Sequence, residues 1–189
     1  MEKTRLELYF EKDVEWYNWL ALNHDKYDGI YLIFYKVETK IPSMRWEEAV
    51  KVALCFGWID STVKSLGNGK RRQYFSPRKP KSVWSRLNKT YIEELSKKGL
   101  LQKSGLKSIE IAKQNGSWTS LDSVEDLIIP DDLKLAFHAN PIAYKNYENF
   151  SPSYRKNYLY WLFQAKREAT RHKRIQEIIK LCEANKKQR

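Results

Sequence analysis

Between Phe56 and Lys89, cations, hydroxyls and aromatic rings recur at short spacing, and that combination suits anion recognition. The stretch reads FGWIDSTVKSLGNGKRRQYFSPRKPKSVWSRLNK, and from Lys64 to Lys89 it holds nine Lys/Arg and no Asp or Glu. Arg71, Arg72 and Arg78 offer planar donor forks matched to carboxylate or phosphate. Ser82 is placed as the N-cap of a helix running to about Lys98, with Ser85 and Asn88 on one face of its opening turns. A helix start adds unpaired backbone N–H groups and the positive end of the dipole. Trp58, Tyr74 and Trp84 supply aromatic walls, and Asp60 stands just ahead of the basic run. The candidate ligand-binding set is therefore Trp58, Asp60, Arg71, Arg72, Tyr74, Arg78, Ser82, Trp84, Ser85 and Asn88. The expected partner is an anionic small molecule or a phosphate-bearing ligand. Each residue also has a plainer reading: Asp60 as an ion-pair partner for a nearby arginine, the tryptophans as core, the lysines as a solvated face.

Catalytic patterns are sparse. His24, His138 and His172 are scattered without metal-ligand spacing, and LGNGK (66–70) lacks the spacing of a phosphate-binding loop and fits a hairpin turn instead. Asp60, beside Ser82 or Ser85, is the one candidate for acid–base chemistry, so an enzyme is the third reading. No cofactor and no metal are expected. Cys55 and Cys182 lie far apart in apolar helical patterns and read as reduced core residues.

A second basic patch comprises Lys166, Arg167, Arg171 and Arg174. Its three arginines fall at i, i+4 and i+7, one helical stripe that suits a phosphate backbone; the plain alternative is the solvated face opposite Ile175, Ile178 and Ile179. Residues 160–189 hold nine Lys/Arg against three acids, so the net charge of +12 is concentrated in two patches on a nearly neutral body. Nucleic acid is accordingly the alternative partner.

The elements that must position these residues follow from periodicity. The apolar and aromatic run 29–37 predicts a strand buried on both faces. Ser43 is placed to cap a helix over 44–56, with Trp46, Ala49, Val50, Ala53 and Leu54 as its core stripe and Gly57 as a left-handed terminator. Strands over 58–64 and 70–76 flank the Asn68-Gly69 turn. Strict alternation puts Trp58, Asp60, Thr62 and Lys64 on one face. Leu6–Phe10 reads as a short strand or an extended lead-in, helices are expected over 13–23 and 104–115, and 117–129 as a linker. Beyond it the pattern is helical, with Thr170 as the N-cap of the last helix. The predicted fold is α+β: a small antiparallel-rich sheet of about three strands covered by helices in a domain over 1–118, and an all-helical subdomain over 127–189. The acidic opening MEKTRLELYFEKDVEW is not a secretory signal, and no apolar run approaches a membrane span; a soluble, cytoplasmic protein with no membrane insertion is expected.

Three blocks, CFGWIDS (55–61), SPRKPKSVWSRLN (76–88) and AKREATRHKRI (165–175), resemble the YdeI/OmpD-associated family of bacterial, bacteriocin-protection-like proteins. The resemblance spans about Trp16 to Leu181. It implies an indirect link to tolerance of cationic peptides and stress, with no established biochemical activity attached. Glu168-Ala169 stands where that family has a proline near the start of its last helix, which leaves open whether the last two helices are continuous here.

Overall fold

The structure, a computed structural model, describes residues 5–187; the first four residues of the acidic opening and the last two of the chain lie outside it. The chain divides into two compact units, residues 1–119 and 120–189.

The first unit is α+β. Among the described residues its sheet has four strands, β1 (Glu7–Tyr9), β2 (Ile30–Tyr35), β3 (Trp58–Gly67) and β4 (Lys70–Pro77), in the order β1-β2-β4-β3. This corrects the expectation of about three antiparallel strands, because β1 pairs with β2 in parallel, Leu8 opposite Leu32. Three residues are too few to show a strand period, and a parallel partner needs a crossover, here α1 (Asp13–Asn23). Ile30, Leu32 and Phe34 of β2 enter the core; on the other face Ile33 is buried while Tyr31 and Tyr35 are half-buried, so the strand is buried on both faces only at its centre.

Trp16 of α1 is fully buried at the centre of this unit. Its ring stacks on Trp19 at 5.4 Å and meets the edges of Trp58 and Phe75 at 6.2 and 5.9 Å, and its Nε1 donates to Ala49 O at 3.2 Å. Ala49 lies on α2 (Trp46–Cys55), so one indole joins two helices to the sheet. Helix α2 starts later than its expected Ser43 cap: Arg45 is the N-cap and Glu48 accepts from Arg45 N–H at 2.6 Å, while Ser43 Oγ accepts from Tyr35 N–H at 3.1 Å. Gly57, at φ +74°, ends α2 and turns the chain directly into β3.

The β3–β4 hairpin turns at Asn68 (φ +48°) and Gly69 (φ +71°), the pair of left-handed residues that a tight two-residue turn needs. Strict alternation fails along β3. Asp60 sits opposite Phe75, but a register shift then places Val63 opposite Gln73 and Lys64 opposite Arg72. The bulge moves Lys64 to the face opposite Trp58 and Asp60.

Helix α3 (Arg86–Lys97) begins four residues after the cap expected at Ser82. Ser85 is its N-cap, accepting from Asn88 N–H at 3.2 Å; Ser82 N–H instead closes a turn onto Lys79 O at 2.9 Å. The displaced start keeps 82–85 non-helical and allows Trp84, 1% exposed, to reach the core. Helix α4 (Lys103–Gln114) then packs against the end of α2, with Gln102 N–H on Cys55 O at 2.9 Å.

The second unit contains five helices among the described residues: α5 (Asp122–Glu125), α6 (Asp131–His138), α7 (Pro141–Glu148), α8 (Pro152–Phe163) and α9 (Glu168–Glu183). Its core includes Leu133, Phe137, Tyr147, Tyr158, Leu162, Ile178 and Cys182. Residues 164–167 break α8 from α9, and Arg167 rather than Thr170 is the N-cap of α9. Among the described residues no helix is long and apolar enough to cross a membrane.

One close approach fixes α4 in the first unit. A Cβ on the buried Gly105 would strike the Cys55 carbonyl. Replacing glycine by alanine inside a helix ordinarily stabilises by about 1 kcal/mol. Gly105→Ala should instead destabilise by about 1–3 kcal/mol, because the obstacle is backbone. A lowered urea midpoint is the expected result.

Candidate functional site

Four segments of the first unit surround a cavity of about 400 Å³: the loop after α1, the α2–β3 junction, the segment from Pro77 to Trp84, and one face of α4. Arg78 forms part of its wall. The guanidinium carbon lies 3.5 Å from the centroid of the Trp84 ring, and Nη1 donates to Val83 O at 3.1 Å. Its Nε and Nη2 are buried and have no hydrogen-bond partner among the described residues. Burial pushes the Arg78 pKa down to about 9, with Asp60 pulling the other way. It is therefore still a cation at neutral pH, largely removed from water and only partly answered. Such a group is costly, and an arriving acceptor would offset that cost.

The local sequence explains the placement. Pro77 and Pro80 flank Arg78 and keep the backbone out of helix, and Arg78 N–H is fixed to Gly57 O at 2.9 Å. The rest of the wall is more varied. Trp58 is 1% exposed and donates through Nε1 to His24 O at 3.0 Å, tying the end of α1 to β3. Trp84 packs against Trp118 at 4.9 Å. The indoles thus close the cavity's back rather than offering free faces. Gly57 lets α4 come close: a Cβ there would lie 2.9 Å from Ser104 O. Ser104 Oγ is a further buried atom with no partner among the described residues. Asp25, Asp28, Lys79 and Lys107 are exposed and carry the outer charges.

Of the residues expected from the sequence, Trp58, Arg78 and Trp84 meet at this cavity, and the others do not line it. Asp60 Oδ2 accepts from Trp46 Nε1 at 2.9 Å and from Gln73 Nε2, and among the described residues no arginine ion pair holds it. Arg71 lies 5.2 Å from the Phe34 ring near the hairpin end of β4. Arg72 stacks 4.4 Å over Tyr31 and pairs with Glu7 at 2.5 Å. Tyr74 donates to Asp28 O at 3.3 Å from the opposite sheet face to Gln73 and Phe75. Ser85 and the Asn88 N–H serve the start of α3, and Ser82 belongs to a turn. His24, Asp25, Asp28 and Ser104 were not expected at the site. Ser104, Lys107, Ser108 and Ile111 fall at i, i+3, i+4 and i+7, so a polar stripe on α4 was available as a signal. The loop 24–28 has no comparable pattern.

In the helical unit the basic stripe is partly engaged. Arg171 binds Asp132 twice, Nε to Oδ2 at 2.5 Å and Nη2 to Oδ1 at 2.9 Å. Arg174 donates to Trp161 O at 2.5 Å, Lys166 lies 5.7 Å from the Phe163 ring, and Arg167 occupies the N-cap position of α9 without a side-chain capping bond. Among the described residues no group of three or more His, Cys, Asp or Glu is arranged to hold a metal ion.

Comparison with known families divides the chain in the same region. Residues 8–108 match a domain of unknown function (DUF8412), which contains every residue of the cavity except Ile111. Residues 126–185 match the family described as bacteriocin-protection, YdeI or OmpD-associated. The chain therefore belongs to the first family, whose match covers more than half of its length, while its helical part is similar to the second, the one the sequence resembles. The blocks CFGWIDS and SPRKPKSVWSRLN fall in the first match and AKREATRHKRI in the second. No curated protein and no solved structure matches the chain.

Stability should separate the two charged residues. Asp60→Ala strands the Trp46 and Gln73 donors and should cost about 1–3 kcal/mol. Arg78→Met removes a buried cation and keeps its volume, and should leave the thermal midpoint unchanged or raise it. Thermal denaturation of both variants checks this. A hydrogen bond from Arg171 holds Asp132 below its ordinary value of 3.8. A depressed folded value means stabilisation that is present above the ordinary value and lost as pH falls through the folded one. Both side chains are partly exposed, at 30% and 42%, so the effect should stay under about 1 kcal/mol and disappear from the acid limb in Asp132→Asn.

Proposed function

We propose that the chain is an anion-binding protein of the bacteriocin-protection, YdeI or OmpD-associated type, which holds a small carboxylate or phosphate-bearing ligand against Arg78. The supporting observation is the state of that side chain: a half-buried cation stacked on Trp84, with two buried N–H groups lacking acceptors among the described residues, beside a cavity of about 400 Å³. An anion there would form charge-assisted hydrogen bonds in a low-dielectric wall. Ser104 Oγ would add a neutral donor. The outer charges, Lys79 and Lys107 against Asp25 and Asp28, favour a ligand of low net charge over a polyphosphate.

This reading gives Asp60 an electrostatic role, easing the burial of Arg78, rather than a catalytic one. It also makes protection from cationic peptides indirect. A chain of net charge +12 repels such peptides, so the protein would act through its ligand, in the cytoplasm.

Isothermal titration with phosphate, sulfate and small mono- and dicarboxylates tests the reading. The expected result is binding of at least one probe, weakened about ten- to a hundredfold in Arg78→Met, the loss of one or more hydrogen bonds to a charged group. Equal affinity in the variant and the wild type would contradict it.

A further inference from the structure

The sheet has a second face, away from the core, and its composition is unusual. Pairing places Tyr31 beside Tyr74, Ile33 beside Arg72, and Tyr35 beside Lys70 on that face, with Glu7 and Tyr9 of β1 on one side and Lys64 of β3 on the other. Tyr9 is 37% exposed, Tyr31, Tyr35 and Tyr74 are half-buried, and Lys64 is exposed. The opposite face carries Ile30, Leu32, Phe34 and Phe75 into the core. One sheet surface thus holds four tyrosines and the cations Lys64, Lys70 and Arg72, joined by Arg5 over the Tyr74 ring at 4.6 Å; among the described residues of its strands Glu7 is the one acid on it.

The side chains are already ordered. Arg72 lies 4.4 Å over Tyr31, Tyr31 lies 5.1 Å from Tyr74, and Tyr9 meets the edge of Tyr35 at 5.4 Å. Rings and guanidinium planes that are held in place lose little rotamer freedom when a flat group stacks on them. The charge is predominantly positive, Glu7 being paired with Arg72 at 2.5 Å, and the sheet spacing sets neighbouring strands about 5 Å apart. Aromatic rings on a sheet, interleaved with Lys and Arg, offer stacking surfaces for unpaired bases and cations for the phosphates between them.

We infer that this face binds single-stranded nucleic acid, with Tyr31 and Tyr74 stacking bases and Lys64, Lys70 and Arg72 contacting the backbone. The site is separate from the cavity at Arg78 and does not depend on it. It is also a different surface from the stripe on α9, which lies in the helical unit. An acidic peptide would satisfy the lysines but leave the tyrosines without a role.

Fluorescence anisotropy with a labelled oligothymidylate of about 15 nucleotides, within the site sizes of sheet-based single-strand binders, tests the inference. Wild-type protein should bind, with log affinity falling against log salt at a slope of about −2 to −3 for three or four phosphate contacts on a single strand. A duplex of equal length should bind at least tenfold more weakly. Tyr31→Ala should weaken binding about tenfold, the effect of losing one stacked base. Because Tyr31 also supports Arg72, the pair Lys64→Glu and Lys70→Glu provides a second variant that should abolish binding. Lys97→Glu with Lys98→Glu, exposed on or just after α3, makes the same change in net charge and should leave binding intact. Binding absent at low salt, a duplex bound as tightly as the single strand, or equal losses from the two charge reversals would each overturn the inference.

Discussion

A half-buried guanidinium stacked on an indole and short of acceptors is the constraint around which the first unit is arranged. Arginine is weakly hydrated for a cation and tolerates burial against an aromatic face better than lysine does. Even so, Arg78 has one hydrogen bond to Val83 O and two N–H groups with no partner among the described residues. Folding must therefore supply reasons for it to stay. Pro77 and Pro80 deny the segment a helix, and the Arg78 N–H is tied to Gly57. Trp84 is locked between the guanidinium and Trp118. Asp60 lends negative potential from its place under Trp46 and Gln73.

The same constraint explains why the surrounding backbone is so tightly specified. Gly57 ends α2 in a left-handed conformation, starts β3, accepts from Arg78 and leaves room for α4, all in one residue. Gly105 lets α4 approach the end of α2. That approach brings Ser104 to the cavity wall. Trp16 organises the core beneath, joining α1, α2 and the sheet through ring contacts and one hydrogen bond to Ala49. Packing precision around Trp16 therefore carries through Trp58 to the cavity.

Much of this was legible in the sequence, for reasons that can be named. Gly57 as a helix terminator and Asn68-Gly69 as a hairpin turn were readable because left-handed backbone selects those residue types. Arg78 and Trp84 stand out because cations and aromatics are interleaved without acids from Lys64 to Lys89, and Trp58 because it opens the strand that leads into that run. What failed was register and distance. The bulge between Asp60 and Val63 has no local residue signal, so alternation alone puts Lys64 on the wrong face. Ser82 and Ser85 are equally good caps on composition alone; burial of Trp84 decides between them. Strand β1 was too short to declare its parallel pairing, and the acids of loop 24–28 reach the cavity only through the tertiary fold. Arg71 and Arg72 looked equivalent to Arg78 but lie on other parts of the sheet, one by Phe34 and one by Glu7.

The central claim is that Arg78 is a cation built to receive an anion rather than a strained structural remnant. Crystals grown in selenate, a tetrahedral anion with an anomalous signal, test it most directly. The account predicts an anomalous peak in the cavity within hydrogen-bonding distance of Arg78 Nε or Nη2, at about 2.7–3.2 Å, and its disappearance in Arg78→Met. A cavity without selenate, or a peak that persists in Arg78→Met, would contradict it.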